Sequence, residues 1–199
     1  LVGARAPRSY TWRCGPHLNQ GAEGACVGFA FAHELAARPV PVADVTNEMA
    51  RSIYFDAQRI DPWPGGAYPG ASPTYEGTSV LAGVQIVQRM GRIPEYRWAF
   101  GADELAAAVS WNGPAVIGVD WMEGMFDTDA NGYVHPTGAV LGGHAILVHG
   151  YNVSARRFQL RNSWGSRWGK NGGCYLSHAD MQNLLSRQWA DACCPIRRA

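Results

Sequence analysis

The spacing of apolar residues in the first half of the chain predicts helices. Val27, Phe31 and Leu35 recur at every fourth position, and Pro39 lies just beyond the end of this run. Such spacing places the apolar side chains on one face of a helix. Similar stripes, preceded by capping residues and followed by Pro or Gly, occur further along the chain. The predicted helices cover residues 26–37, 47–60, 79–90 and 102–110.

After Gly113-Pro114 the pattern changes to short apolar runs and alternation interrupted by glycines, which is typical of strands. The predicted strands cover residues 115–121, 144–151, 157–162 and 173–177, and a last helix covers residues 179–189. Helices followed by strands in this way favour an α+β fold with the two classes segregated into facing lobes. We expect a functional site in the cleft between such lobes.

Composition and charge narrow the class of protein. Apolar residues make up 47% of the 199 residues and charged residues 17%, which indicates a chain that forms a core. The formal net charge is +1, so we expect no binding to nucleic acid. The longest run without Asp, Glu, Lys or Arg, residues 130–155, contains three histidines, a proline and several glycines. We therefore expect no membrane insertion and a soluble protein.

The ratio of lysine to arginine and the first five residues indicate where the protein comes from and where it is located. Lys170 is the only lysine beside 16 arginines, a bias that we expect of a high-GC bacterium or of its phage. Residues 1–5 contain neither an initiator Met nor an apolar leader, so we expect that processing or truncation removed an earlier segment. A secreted or virion-associated location is the corresponding expectation.

The chain contains five cysteines, an odd number, so at least one should be a free thiol. They are Cys14, Cys26, Cys174, Cys193 and Cys194. We expect a disulfide from Cys14 or Cys174 to one of the adjacent pair, with the connectivity left open.

Neither a metal nor another cofactor is predicted. The chain contains no CxxC pair, and adjacent cysteines do not easily both bind one tetrahedral ion. Residues 127–132 imitate the first half of a calcium loop, but Gly138 stands where the bidentate glutamate is required. We expect Asn131-Gly132 to form a tight turn instead.

Four residues have the types and positions that thiol chemistry needs. Cys26 begins the first predicted helix, where the helix dipole and a facing imidazolium would stabilise a thiolate. His144 begins one predicted strand and Asn162 ends another, so the amide can orient the imidazole as a general base. Gln20 offers a side-chain amide that, with the backbone N–H at the helix start, can bind a developing oxyanion.

These residues resemble the catalytic set of the papain family of cysteine proteases. Gln20 precedes Cys26 by six positions, as the oxyanion glutamine of that family precedes its nucleophile, and the order Cys, His, Asn is the same. The run Asn162-Ser163-Trp164-Gly165 is similar to the motif that places a tryptophan over the His–Asn pair. The resemblance covers about residues 10–178.

The resemblance implies a papain-like fold and a peptidase activity. It implies one domain over residues 1–199, with a helical left lobe of about residues 20–110 packed against a β-rich right lobe of about residues 111–190. A cysteine-type endopeptidase would use a Cys26 thiolate to attack the peptide bond of a peptide or protein substrate. His144 would protonate the leaving amine, Asn162 would hold the imidazole, and Gln20 would bind the oxyanion.

The resemblance also assigns residues to the substrate-binding region. Gly77 and Thr78 would pair with the substrate backbone as an added strand. Gly118, Gly142 and Gly143 would border the pocket for the residue just before the scissile bond, and glycines there predict a roomy, uncharged subsite. Trp164 would cover the His–Asn pair beside this region.

Some positions depart from the family pattern, and other functions remain open. Val27 replaces a tryptophan that commonly follows the nucleophile, Glu23 stands at a frequent disulfide cysteine, and Thr78 replaces the second of two glycines.

Alternative functions are a non-catalytic structural or binding component with the same fold, and a thiol-dependent amidase or transpeptidase. No inhibitory segment is visible in the residues before Cys26, so a prosegment or an assembly partner is left open.

Overall fold

The structure is a computed structural model, and it describes residues 5–196. The helices are α1 (Cys26–Ala36), α2 (Asn47–Gln58), α3 (Val80–Arg89), α4 (Ala102–Trp111) and α5 (His178–Leu185). The strands are β1 (Tyr10–Thr11), β2 (Glu95–Trp98), β3 (Ala115–Met122), β4 (Val140–Asn152), β5 (Arg157–Arg161), β6 (Gly173–Ser177) and β7 (Asp191–Ile196). The predicted α+β fold, helical before it becomes β-rich, is confirmed.

The strands form one antiparallel sheet in the order β2-β7-β3-β4-β5-β6, and β1 pairs with β4. Alternate residues of the central strands belong to two separate apolar clusters. Val116 and Leu147 pack with α1, α2 and α3, whereas Ile117 and Ile146 pack with α4 and α5. Successive side chains of a strand point to opposite faces, so helices cover the sheet on both sides.

The division into lobes differs from the expected one. α4 was expected in the helical lobe, but its Leu105 and Val109 are buried in the cluster that contains Ile117 of β3. β2 is hydrogen-bonded to β7 and is also part of the sheet. The boundary therefore lies before β2 rather than near residue 110, because the apolar face of α4 is buried against strands.

Three strands were not predicted, and the last helix ends four residues earlier than predicted. β7 has the sequence Asp-Ala-Cys-Cys-Pro-Ile, which shows no alternation because both of its faces are buried. α5 ends at Leu185, and Trp189, the predicted end of the helix, has a left-handed φ of 73°. Within residues 5–196 no helix is both long and apolar enough to cross a membrane.

The expected disulfide is wrong, because all five cysteines are free. Cys193 and Cys194 are consecutive in β7, so they point to opposite faces of the sheet. Cys174 shares a cluster with Cys194 but lies in β6, four strands away. At about 4.8 Å per strand their separation far exceeds the roughly 7 Å limit between the Cα atoms of a disulfide.

Residues 127–132, which imitate the first half of a calcium loop, form the expected turn. The Asp129 carboxylate accepts hydrogen bonds from the backbone N–H groups of Asn131 and Tyr133, both at 2.9 Å. Its other oxygen lies 3.1 Å from Nε2 of His135. The carboxylate therefore closes a local turn through donors of the chain itself.

α1 lies at the centre of the helical lobe, and ten of its eleven residues are buried. It packs against α2 and α3 on one side and against β4 on the other. Gly28 permits the close approach to α2, because a Cβ at this position would lie 2.7 Å from Cβ of Tyr54 and would also meet the Ala50 carbonyl. α1 is thus fixed between two layers.

We predict that Gly28→Ala lowers the free energy of unfolding by about 1–3 kcal/mol, because the added methyl group forces α1 and α2 apart. Gly142→Ala is the matched control, since a Cβ at Gly142 meets nothing within 4 Å. Its stability should stay within about 0.5 kcal/mol of the wild type. Urea unfolding monitored by circular dichroism measures both changes, and equal stabilities of the two variants would contradict the tight packing.

Candidate active site

Cys26 is the first residue of α1, and no side chain caps this end of the helix. The preceding residue, Ala25, cannot offer a side-chain acceptor to the free N–H groups of the first turn. Instead, burial raises the pKa of the Cys26 thiol, and backbone N–H groups of Ala145, Val27 and Cys26 itself interact with the sulfur and partly oppose that rise. These contacts place the thiol between α1 and β4, where fixed donors favour negative charge on sulfur.

His144 and Asn162 form a buried hydrogen bond, with 2.8 Å between Nε2 of the imidazole and Oδ1 of the amide. The same Oδ1 accepts the backbone N–H of Ser163, also at 2.8 Å. Because Oδ1 only accepts, Nε2 of His144 carries the proton in this bond. In the neutral ring Nδ1 is therefore the basic nitrogen, and His144 and Cys26 line the same cavity.

Burial opposes charge on both Cys26 and His144. It lowers the pKa of His144 to about 4, although the bond to Asn162 acts in the other direction. It also raises the pKa of the Cys26 thiol above its ordinary value, against the effect of the three backbone donors. In the free protein, burial thus opposes the charge on each member of the thiolate–imidazolium pair that the sequence predicts.

Aromatic rings enclose the His144–Asn162 bond. The Trp164 indole lies 5.0 Å from the His144 ring, measured between centroids, and Phe126 stacks on Trp164 at 5.6 Å. Trp121 of β3 makes an edge contact with His144 at 4.6 Å. The sequence analysis identified Trp164 but missed Trp121. The only sequence feature that indicates a buried position for Trp121 is the alternation of side chains along β3. These rings keep water from the bond and lower the local dielectric.

Gln20 is held in place by Ser163 and by its own loop. Oε1 of Gln20 accepts the Ser163 hydroxyl at 2.6 Å, and Nε2 donates to the Glu23 carbonyl at 2.7 Å. The backbone N–H of Gln20 also donates to the Ser163 carbonyl at 2.9 Å. One amide hydrogen of Gln20 is left for another acceptor. Gln20 is buried and does not line the cavity beside Cys26.

Glu23, three residues before the thiol, is paired rather than free. Its carboxylate accepts from Nε of Arg51 in α2, at 2.7 and 3.0 Å. The pair is partly exposed, so its contribution to stability is modest. The Glu23–Arg51 pair anchors the loop before Cys26 to α2.

A cavity of about 440 Å³ begins at Cys26 and His144 and extends between the lobes. Its helical wall includes Gly77 and Thr78, and its sheet wall includes Gly118 and Gly143. The predicted residues that do not line this cavity are Gln20, Gly142, Asn162 and Trp164. Asn162 and Trp164 pack behind His144, and Gly142 is exposed.

Gly77 and Thr78, which are predicted to pair with the substrate backbone, differ in whether their own backbone groups are free to do so. Both backbone groups of Gly77 have partners: its N–H donates to the Tyr54 hydroxyl at 3.1 Å, and its carbonyl accepts from Gln58 at 2.9 Å. Thr78 has no backbone hydrogen bond to any described residue, and its hydroxyl donates to Asp61 at 2.6 Å. Thr78 is therefore the residue whose backbone is available for an added strand.

The expectation of an uncharged subsite is wrong. Three carboxylate residues, Glu76, Asp120 and Asp191, line the cavity with the glycines. Asp120 pairs with Arg187 at 3.1 Å, while the Asp191 side chain has no hydrogen-bond or ion-pair partner among residues 5–196. Sequence reasoning missed Asp191 because it begins β7, a strand that was not predicted.

Comparison with known proteins identifies the family of the chain. Residues 66–190 match the family model "Papain family cysteine protease". The chain is 23% identical over 207 residues to cysteine proteinase 3 of Entamoeba histolytica, and the alignment covers 90% of this chain and 65% of that protein. It is 31% identical over 72 residues to cathepsin B-like cysteine proteinase 5 of Caenorhabditis elegans, covering 35% of this chain and 21% of that protein.

A third relative is the uncharacterized peptidase C1-like protein L477 of Acanthamoeba polyphaga mimivirus. It is 42% identical over 52 residues, which covers 25% of this chain and 16% of that protein. The chain thus spans less than two thirds of the length of each of these three relatives.

Solved structures share the fold. Xylellain, a cysteine protease from Xylella fastidiosa, superposes with a TM-score of 0.73 at 18% identity, covering 100% of this chain and 89% of that one. Digestive procathepsin L 3 of Tenebrio molitor larval midgut superposes with a TM-score of 0.61 at 16% identity, covering 98% of this chain and 72% of that one. Since the family model matches more than half of the residues, the chain belongs to the papain family of cysteine proteases.

Proposed function

We propose that the protein is a cysteine-type peptidase that hydrolyses peptide bonds through Cys26, His144 and Asn162. The observation that carries this proposal is the buried Nε2–Oδ1 bond of 2.8 Å between His144 and Asn162. It fixes the tautomer that leaves Nδ1 basic, on a ring that lines the cavity with the only cysteine at a helix N-terminus in the described chain. Geometry of this kind suits a nucleophile, a base and an orienting group.

In the proposed reaction Nδ1 of His144 takes the thiol proton as the Cys26 sulfur attacks the scissile carbonyl carbon. The negative charge that develops on the carbonyl oxygen is stabilised by the Cys26 backbone N–H and by the remaining amide hydrogen of Gln20. His144 then protonates the leaving amine, which gives a thioester on Cys26. Water, deprotonated by His144, hydrolyses the thioester and restores the thiol.

The substrate is proposed to be an extended peptide that pairs with the free backbone groups of Thr78. The Asp61 carboxylate holds the wall to which Thr78 belongs, since it accepts from Thr78 at 2.6 Å and from the Tyr75 hydroxyl at 2.9 Å. The likeness to a procathepsin favours an inactive precursor with a prosegment for this protein as well.

We predict that Cys26 is the thiol modified first by iodoacetamide near neutral pH, because His144 and three backbone donors act on it. Burial raises the pKa of all five thiols, but Cys174, Cys193 and Cys194 are also buried from the reagent, which leaves Cys14 as the competitor of Cys26. Mass spectrometry of the modified peptides identifies the site, and hydrolysis of a fluorogenic peptide library should disappear on modification and in Cys26→Ala. Modification of Cys14 before Cys26, or hydrolysis by Cys26→Ala, would contradict the proposal.

We predict that Gln20→Ala lowers kcat by about a hundred- to a thousandfold with a similar KM, because one oxyanion donor is lost. Ser163→Ala removes the hydroxyl that holds Oε1 of Gln20 at 2.6 Å, and should lower kcat by about tenfold. If Ser163 acts by positioning Gln20, the double variant should be no slower than Gln20→Ala alone. Multiplicative losses in the double variant would show that Ser163 acts independently of Gln20.

A further inference from the structure

A small cavity lies on the sheet, outside the cleft. It has a volume of about 140 Å³ and is lined by residues of β4, β5 and β6 and by the loop of residues 162–172. None of its lining residues lines the cavity beside Cys26. Since a water molecule takes up about 30 Å³ of the liquid, the cavity has roughly the volume of four or five waters. This size suits one small ion or one small ionic group.

The cations of this small cavity have no anionic partner. Within the described chain Arg161 and Lys170 line it, no Asp or Glu does, and neither cation makes an ion pair. His149 also lines it but is neutral near neutral pH, because burial lowers its pKa to about 4. Burial raises the pKa of the Cys14 thiol beside Arg161, and burial and the charge of Arg161 lower the pKa of His17. The cavity therefore carries uncompensated positive charge.

Hydrogen-bond donors of the lining residues lack acceptors. Nε of Arg161 is buried and has no hydrogen-bond partner among residues 5–196. Nη1 of the same guanidinium lies 3.1 Å from Nε2 of His17 and 3.4 Å from the carbonyl oxygen of Asn171. The side-chain amides of Gln159 and Asn171 make no hydrogen bond within the described chain. Because a buried donor without an acceptor is unfavourable, this set of donors favours a ligand that supplies several negatively charged acceptors.

The two cations stand at the two ends of the loop of residues 162–172, which begins with Asn162. Arg161 is the last residue of β5 and directly precedes that loop. Lys170, the only lysine of the chain, is held next to β6 because its backbone N–H donates to the Gly173 carbonyl at 2.7 Å and its carbonyl accepts from Gly173 at 3.3 Å. An anion bound by both cations would therefore connect the two ends of this loop.

We propose that the small cavity binds a phosphate group, either inorganic phosphate or the phosphate of a monoester, between the Arg161 guanidinium and the Lys170 ammonium group. A tetrahedral oxyanion has acceptors on every side, which matches donors that come both from β5 and from the loop. Guanidinium groups bind phosphate oxygens in pairs, and an ammonium group adds a point charge. The site is separate from the proposed peptidase machinery, and neither cation belongs to that machinery.

The first test is titration of inorganic phosphate into the protein by calorimetry, with the ionic strength held constant by sodium chloride. We expect one phosphate to bind per chain and the midpoint of thermal unfolding to rise with phosphate concentration, because the ligand binds the folded state. Neither measurement requires hydrolysis of a peptide. The absence of binding heat, together with equal midpoints in phosphate and in chloride, would overturn the proposal.

The same titration with phenyl phosphate distinguishes the two sources of the phosphate group. Tighter binding of phenyl phosphate than of inorganic phosphate assigns the site to a monoester, and weaker binding assigns it to the free ion. Both results support a phosphate site, whereas binding of neither compound overturns it.

Variants locate the binding in the small cavity. Lys170→Gln and Arg161→Gln should each weaken phosphate binding by about tenfold or more, because each removes a charge-assisted hydrogen bond. Arg167→Gln is the matched control, since Arg167 is an exposed arginine of the same loop that does not line the cavity. Its affinity should stay within about twofold of the wild type, because salt screens a distant charge.

Equal weakening in all three variants would overturn the proposal, because it would show attraction by the net charge rather than by a site. If Arg161→Gln does not fold, Lys170→Gln decides the matter, since Lys170 is exposed and its side chain makes no ion pair within the described residues. Unchanged phosphate affinity in Lys170→Gln would then overturn the assignment.

Discussion

The packing of α1 against β4 is the constraint on which the site depends. The helix is enclosed by α2 and α3 on one side and by the sheet on the other, so it cannot shift along its axis without opening the core. Its first residue, Cys26, therefore stays beside the Ala145 N–H, one residue from His144. Gly28 allows the same helix to approach α2 closely. Two lobes with separate apolar clusters thus place one thiol and one imidazole in one cavity.

The segment after β5 holds two parts of the site, His144 and Gln20, through three consecutive residues. Asn162 binds Nε2 of His144, Ser163 binds the side chain of Gln20, and Trp164 packs on the His144 ring. His144 and Gln20 come from different parts of the fold, β4 and the loop before α1. Because these residues share a short backbone segment, a change in that segment would move the proposed base and the proposed oxyanion donor together.

The parts of the fold that the sequence predicts well are those with a clear period or motif. The fourfold stripe of Val27, Phe31 and Leu35 locates α1, and the Asn162-Ser163-Trp164 run indicates the surroundings of His144. β7 escapes prediction because burial of both faces removes any alternation, and with it the position of Asp191 in the cavity lining is missed. The sequence predicts α4 as a helix. The apolar face of α4 is covered by strands rather than by other helices, and the sequence pattern does not distinguish the two cases.

Cys26 and His144 should behave as one titrating unit that holds a single proton in the active form. Burial lowers the pKa of His144 to about 4, so reactivity should be lost as the pH falls through about 4 and the unit takes a second proton. Without His144, only the thiol titrates, and burial raises its pKa above the ordinary 9.0. The direct measurement is the rate of Cys26 alkylation by iodoacetamide against pH in the wild type and in His144→Ala. We predict that the wild type stays reactive down to near pH 4 whereas His144→Ala reacts only in alkali; superimposable profiles would contradict the coupling of Cys26 to His144.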